Sequence, residues 1–173
     1  MKFSVNQQDL QKSLGYCQGV IEKRSTLPIL SNVMLEINSG HLTITATDLD
    51  LIFIHKISNV EILEEGKTTT SSSIMYDIVR KISSGSKISF SNPSESKLQL
   101  ESEKSIFNLN CISASEFPLT DENFNQNEFS MHSKDLLKLL NNCKFSISNE
   151  ETRHYLSGIF FHQTQVEDKV YLT

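Results

Sequence analysis

The sequence predicts an α+β protein in which two helices pack on antiparallel sheet, with that unit duplicated and its second copy truncated. Three observations predict it. Apolar residues switch repeatedly between strict alternation and helical spacing along the 173 residues. An ungapped register at an offset of 126 positions relates the opening of the chain to residues 129–158. The second copy then runs only as far as a strand matching Leu42–Thr45, so the sequence is expected to be a fragment of a longer protein.

Met1–Val5 alternates and reads as a first strand. From Asn6, a side chain suited to N-capping, Leu10, Leu14, Cys17 and Ile21 fall on one helical stripe. Gln7, Gln8, Gln11, Lys12 and Gln18 occupy the remaining face, a nearly uncharged surface suited to lying near a polyanion without gripping it. Arg24–Asp48 is the stretch on which the rest is organised. It is a cationic loop tightening through Leu27-Pro28 into a hairpin that turns at Asn38-Ser39-Gly40, with Val33, Leu35 and Ile37 facing Leu42 and Ile44. Leu49–Ile57, Val60–Leu63 and Lys67–Thr70 read as further strands, the last two divided by a Glu64-Glu65-Gly66 turn.

The period then returns to helical. Ser72 or Ser73 caps a second helix that turns Ile74, Ile78 and Ile82 inward and places Arg80 and Lys81 where cations complement the helix dipole. Lys87–Ser91, Lys97–Glu101 and Ser105–Cys111 are strands, turned at Asn92-Pro93-Ser94 and Ser102-Glu103-Lys104. Phe117-Pro118 closes the unit. The acidic, Asn-rich stretch from Leu119 to Asn127 reads as a boundary, giving one domain over 1–120, a linker at 121–127 and the start of a second domain over 128–173.

Past that boundary the opening pattern returns. Phe129-Ser130, Asp135-Leu136, Lys138, Leu140 and Cys143 repeat Phe3-Ser4, Asp9-Leu10, Lys12, Leu14 and Cys17, and Thr152–Gly158 overlies Thr26–Asn32. Val170–Thr173 overlies Leu42–Thr45 after a two-residue insertion. So long a period, about one domain per copy, means a duplicated domain and not a short solenoid repeat.

Composition narrows the function. Net charge is −5, so any contact with nucleic acid must come from a local basic surface on an acidic body. The three cysteines, Cys17, Cys111 and Cys143, stand alone and read as small buried thiols in a reducing compartment. No apolar run reaches membrane-spanning length and the N-terminus lacks the apolar core of a secretion signal, which points to a cytoplasmic protein without a membrane partner. Asp48 and Asp50 read as a turn pair. No catalytic constellation, phosphate loop, cofactor motif or metal-ligand cluster is legible.

The opening MKFSV, Arg24 with TLPILSN (26–32), LTITATDLDL (42–51), Tyr76–Arg80, Ile106–Leu109, Glu116-Phe117-Pro118, and Arg153 with Tyr155–Gly158 resemble the bacterial sliding clamp, the β subunit of DNA polymerase III. The resemblance implies the DNA clamp fold and a non-catalytic processivity factor. In that family two subunits close head-to-tail as a homodimeric ring around duplex DNA and serve DNA polymerase III and the clamp loader. It implies DNA-facing roles for Arg24, Lys23, Lys12, Arg80, His154 and Tyr155. It implies a partial partner-peptide pocket at Arg153 and Leu156, and a subunit interface at Phe107 and Leu109. The acid at Glu150, on the same loop, is not carried over as a DNA contact. Two other readings stay open: a stand-alone α+β ligand- or peptide-binding protein, and a clamp paralogue used in repair.

Overall fold

A computed structural model describes residues 1–21, 26–118, 130–148, 150, 152, 154–167 and 169–173. The chain divides into two compact units, Met1–Asp121 and Glu122–Thr173.

The first unit starts with β1 (Lys2–Asn6) and α1 (Gln7–Cys17). A short 3-10 turn over Pro28–Ser31 leads to β2 (Asn32–Asn38) and β3 (His41–Thr47), followed by β4 (Ile52–Ile57), β5 (Val60–Glu64), β6 (Gly66–Ser71) and α2 (Ser72–Val79). Then come β7 (Lys87–Ser94), β8 (Lys97–Ser102) and β9 (Ser105–Ile112). The strands form one antiparallel sheet in the order β4-β3-β2-β6-β9-β8-β7-β1-β5. Two halves meet at β9, whose residues 105–110 pair with β8 while Cys111 and Ile112 pair with Thr70 and Thr69 of β6. Each half takes in the first strand of the other's strand–helix module: β1, which leads into α1, lies beside β7, and β6, which leads into α2, lies beside β2.

The hairpin follows from its turn. Ser39 and Gly40 both have positive φ (52° and 82°), the geometry of a two-residue turn whose twist matches the flanking strands. That turn sets Leu35 opposite Ile44 and Ile37 opposite Leu42. All four are buried with Val33, as alternation predicts. Phe3 stacks on Phe90 across β1 and β7, their ring centroids 4.8 Å apart. Leu10, Leu14 and Cys17 of α1 close the same core. At the β3–β4 connection, the Asp48 carboxylate accepts from the backbone N–H groups of Asp50 and Leu51 at 3.0 and 2.7 Å, the turn role read from sequence.

Three expectations are corrected. Ile74 is 54% exposed; α2 is held instead by Ser72, Met75 and Val79, with Ile78 and Ile82 only partly covered. The cap of α2 is Ser71, whose hydroxyl accepts from the Ile74 N–H, and not Ser72 or Ser73. Asn92-Pro93-Ser94 belongs to β7, where the register shifts between Ser91 and Ser94, and the turn falls at Glu95-Ser96. A bulge is where a strand tolerates a residue that cannot donate to the ladder.

The second unit holds α3 (Ser133–Cys143), a 3-10 turn over His154–Leu156, and a hairpin of β10 (Gln163–Val166) and β11 (Lys169–Leu172). The bounds of α3 lie 126 positions beyond those of α1 at both ends (133 − 7 and 143 − 17). The hairpin recurs too: Gln163 pairs with Leu172 as Leu35 pairs with Ile44, each 128 positions on (163 − 35 and 172 − 44). Its turn residue Glu167 has φ 54°, matching Ser39 at the same offset of 128. The two-residue insertion therefore falls between the 3-10 turn and β10. The apolar stripe of α3, however, is uncovered: among the described residues no α3 side chain is buried.

Candidate nucleic-acid interface

The first unit presents α1 and α2 as neighbouring helices tied at both ends by glutamine. Gln7, in the first turn of α1, is 2% exposed and donates from Nε2 to the Val79 carbonyl at the end of α2 (2.8 Å) and to Gln11 Oε1 (2.7 Å). Gln18, just past the other end of α1, donates to the Ser72 hydroxyl at 2.9 Å and accepts from that of Ser73 at 3.3 Å. The helices therefore run antiparallel: Gln7 satisfies a carbonyl that the C-terminal end of α2 leaves unpaired, and Gln18 meets side-chain hydroxyls in the first turn of α2. Two of the five residues assigned to an exposed polar face are thus interhelical: Gln7 is buried and Gln18 half-buried. Gln8 is exposed and reaches Ser84 Oγ at 2.7 Å. Sequence alone could not separate them, since a helical wheel shows a polar position but not the neighbouring helix end it meets.

Of the cations expected to face DNA, Lys12 is exposed in the middle of α1. Arg80 is the C-cap residue of α2, and its Nε lies 3.1 Å from Asp77 Oδ1, with both side chains more than half exposed. Lys23, Arg24 and Arg153 lie outside the described residues. In the second unit His154, Tyr155 and Leu156 form the 3-10 turn, with Tyr155 and Leu156 exposed. The counterpart of Leu156 at offset 126, Leu30, is buried in the first unit. Ser148 N–H donates to the Leu156 carbonyl at 3.0 Å, which closes this loop on itself.

At the far side of α2, Ile74, Asp77, Ile78, Lys81, Ile82 and Phe107 line an open groove of about 330 Å³. Beside it, among the described residues, residues 105–109 of β9 pair with no strand on the edge away from β8, while the Asn110 carbonyl accepts from the Thr70 hydroxyl at 2.9 Å. Phe107 is half-buried there. Leu109, the other residue expected at a subunit interface, is 5% exposed, paired against Leu98, and packs in the core of the first unit. Both face the same side of β9, but Leu109 lies within the core cluster while Phe107 packs at its margin and lines the groove. Ile106 on the opposite face is exposed.

The exposed charges on α1, α2 and the turn that follows are mixed: Lys12, Arg80 and Lys81 stand with Asp9 and Asp77. Burial pushes the Cys17 thiol up to about 12 and raises that of Cys111, so neither is an activated nucleophile. Cys143 corrects the expectation of a buried thiol: it is exposed, on the uncovered helix α3. Among the described residues no group of three or more His, Cys, Asp or Glu side chains could hold a metal ion. No helix among them is long and apolar enough to cross a membrane.

The family model described as DNA polymerase III beta subunit, N-terminal domain, matches residues 1–121. The chain belongs to this family. It is 34% identical over 163 residues to the Beta sliding clamp of Caulobacter vibrioides and 32% identical over 168 residues to that of Escherichia coli K12. The alignments take in 94% and 97% of this chain but only 44% and 45% of those relatives, so the chain spans less than half their length. A structure of Caulobacter crescentus pol III beta superposes with a TM-score of 0.92 at 33% identity, covering 99% of this chain and 46% of that one. A sliding clamp from Bartonella birtlesii bound to griselimycin gives 0.93 at 37%, covering 99% and 45%. The fold is therefore the α+β fold of the DNA clamps, as the strand and helix pattern predicts.

Proposed function

We propose that this chain supplies the first domain and the opening of the second domain of a sliding clamp, a ring that encloses duplex DNA and tethers DNA polymerase III to it. The observation that carries the reading is the recurrence of one block: the helix at an offset of 126 with the same boundaries, and the hairpin at 128 with the same register. Repeated blocks of one shape can line a common hollow. A ring holds DNA by topology, so its lining needs no base contacts and only weak phosphate attraction. An acidic chain whose helix layer carries scattered cations among neutral polar groups suits that role.

On this reading Arg24, Lys23, Lys12, Arg80, His154 and Tyr155 face the duplex, and residues 121–127 link the two domains. Arg153 and Leu156 form part of a partner-peptide pocket used by the polymerase and clamp loader. Phe107 and the unpaired stretch of β9 meet the neighbouring subunit of a homodimer, since an open strand edge is a ready template for pairing. The protein works in the cytoplasm as a non-catalytic subunit. The whole ring needs the remaining length of the relatives, so the test is a chimera in which residues 1–121 replace the matching residues of the Caulobacter clamp. Given clamp loader and primed circular DNA, the chimera extends DNA polymerase III products as the parent does. Short products at undiminished protein stability would overturn the reading.

A further inference from the structure

The helix layer holds few cations, and one of them is already occupied. Arg80 at the end of α2 directs Nε to Asp77 Oδ1 at 3.1 Å, one turn earlier, and both groups remain open to solvent. Lys12 makes no such pair among the described residues. A carboxylate and a phosphate offer a guanidinium the same kind of paired acceptor oxygens.

We propose that Asp77 is a positioning residue that occupies Arg80 as an internal phosphate mimic, and so keeps the clamp's grip on the duplex weak. The inference rests on the reading that α1 and α2 face DNA. An exposed pair at i, i+3 is loose enough for a phosphate to displace it, so the acid lowers the strength of the contact without abolishing it. A phosphate that reaches Arg80 replaces one acceptor with another, and the gain from counterion release is reduced by the carboxylate left behind. The consequence is a surface whose phosphate contacts are individually cheap to break, which a sliding protein needs.

The test is equilibrium binding of the 173-residue chain to a short fluorescent duplex across a salt series, read by anisotropy, with Asp77→Asn, Asp77→Glu, Arg80→Gln and the double variant Asp77→Asn/Arg80→Gln. Asp77→Asn is expected to tighten binding about two- to threefold, the strength of an exposed pair. Its log–log salt dependence should steepen by up to about 0.9, the value of one further phosphate contact. Asp77→Glu should behave as the parent, and Asp77→Asn should lose its effect in the Arg80→Gln background. If Arg80→Gln does not weaken the binding measured at low salt, the DNA-facing reading fails and this inference with it. If Arg80→Gln weakens binding but Asp77→Asn does not tighten it, or tightens it equally without Arg80, the inference fails while the DNA-facing reading stands. A shift in melting temperature with an unchanged salt slope would mark the pair as merely structural and also overturn the inference.

Discussion

Leu14 and Leu140 occupy the same place in the repeated block, 126 positions apart, yet their surroundings differ: Leu14 is 0% exposed and Leu140 is 37% exposed. Truncating each to alanine therefore separates the contribution of the repeated pattern from that of the packing around it. Leu14→Ala removes a side chain enclosed by the first unit's core and leaves a cavity, a change that costs about 3 kcal/mol within a range of about 2–5. Leu140→Ala removes a side chain that no described element encloses, so no cavity forms and the loss stays below about 1 kcal/mol. In urea, with a slope of about 2 kcal/mol per molar for a unit of this size, the first change lowers the unfolding midpoint by about 1.5 M. The assay is far-UV circular dichroism against urea. It is aided by hydrogen exchange, which reports α1 and α3 separately. Equal losses for the two variants, or a larger one for Leu140→Ala, would refute this account of the packing around the two helices.

Three further outcomes follow from the same structure. Gly40→Ala should cost about 1–2 kcal/mol by denaturation, because φ is +82° while the space around a Cβ there is open, so only backbone strain acts. A maleimide should label exposed Cys143 at once in the folded chain, Cys111 more slowly, and buried Cys17 only after unfolding, as mass spectrometry of timed digests would show. Lys12→Glu should weaken binding to duplex DNA and lower the salt slope by about 0.9, measured by anisotropy across a salt series.

Much of this was legible because alternation and helical spacing are local signals. The Asn6 cap, the Leu10–Leu14–Cys17 stripe and the hairpin face Val33–Leu35–Ile37 all follow from residues close in sequence. The recurrence of α1 as α3, with identical offsets at both ends, was readable from matched residues alone. What escaped depended on distant partners. α2 has apolar residues on two faces, Met75–Val79 and Ile74–Ile78–Ile82, and only the strands beneath it decide which face is covered. The roles of Gln7 and Gln18 come from helix ends dozens of residues away. The burial of Leu109, 5% exposed opposite Leu98, likewise depends on neighbours outside its own strand. The exchange of first strands between the two half-sheets leaves no trace in local periodicity.

Linearising a DNA circle tests the central claim most directly. Chimeric clamp carrying residues 1–121 of this chain would be loaded onto a nicked circle and the DNA then cut once. The account predicts retention on the circle and rapid loss from the free ends at the same salt concentration, because enclosure and not affinity holds the protein. Protein that stays equally bound to the linear DNA would contradict it.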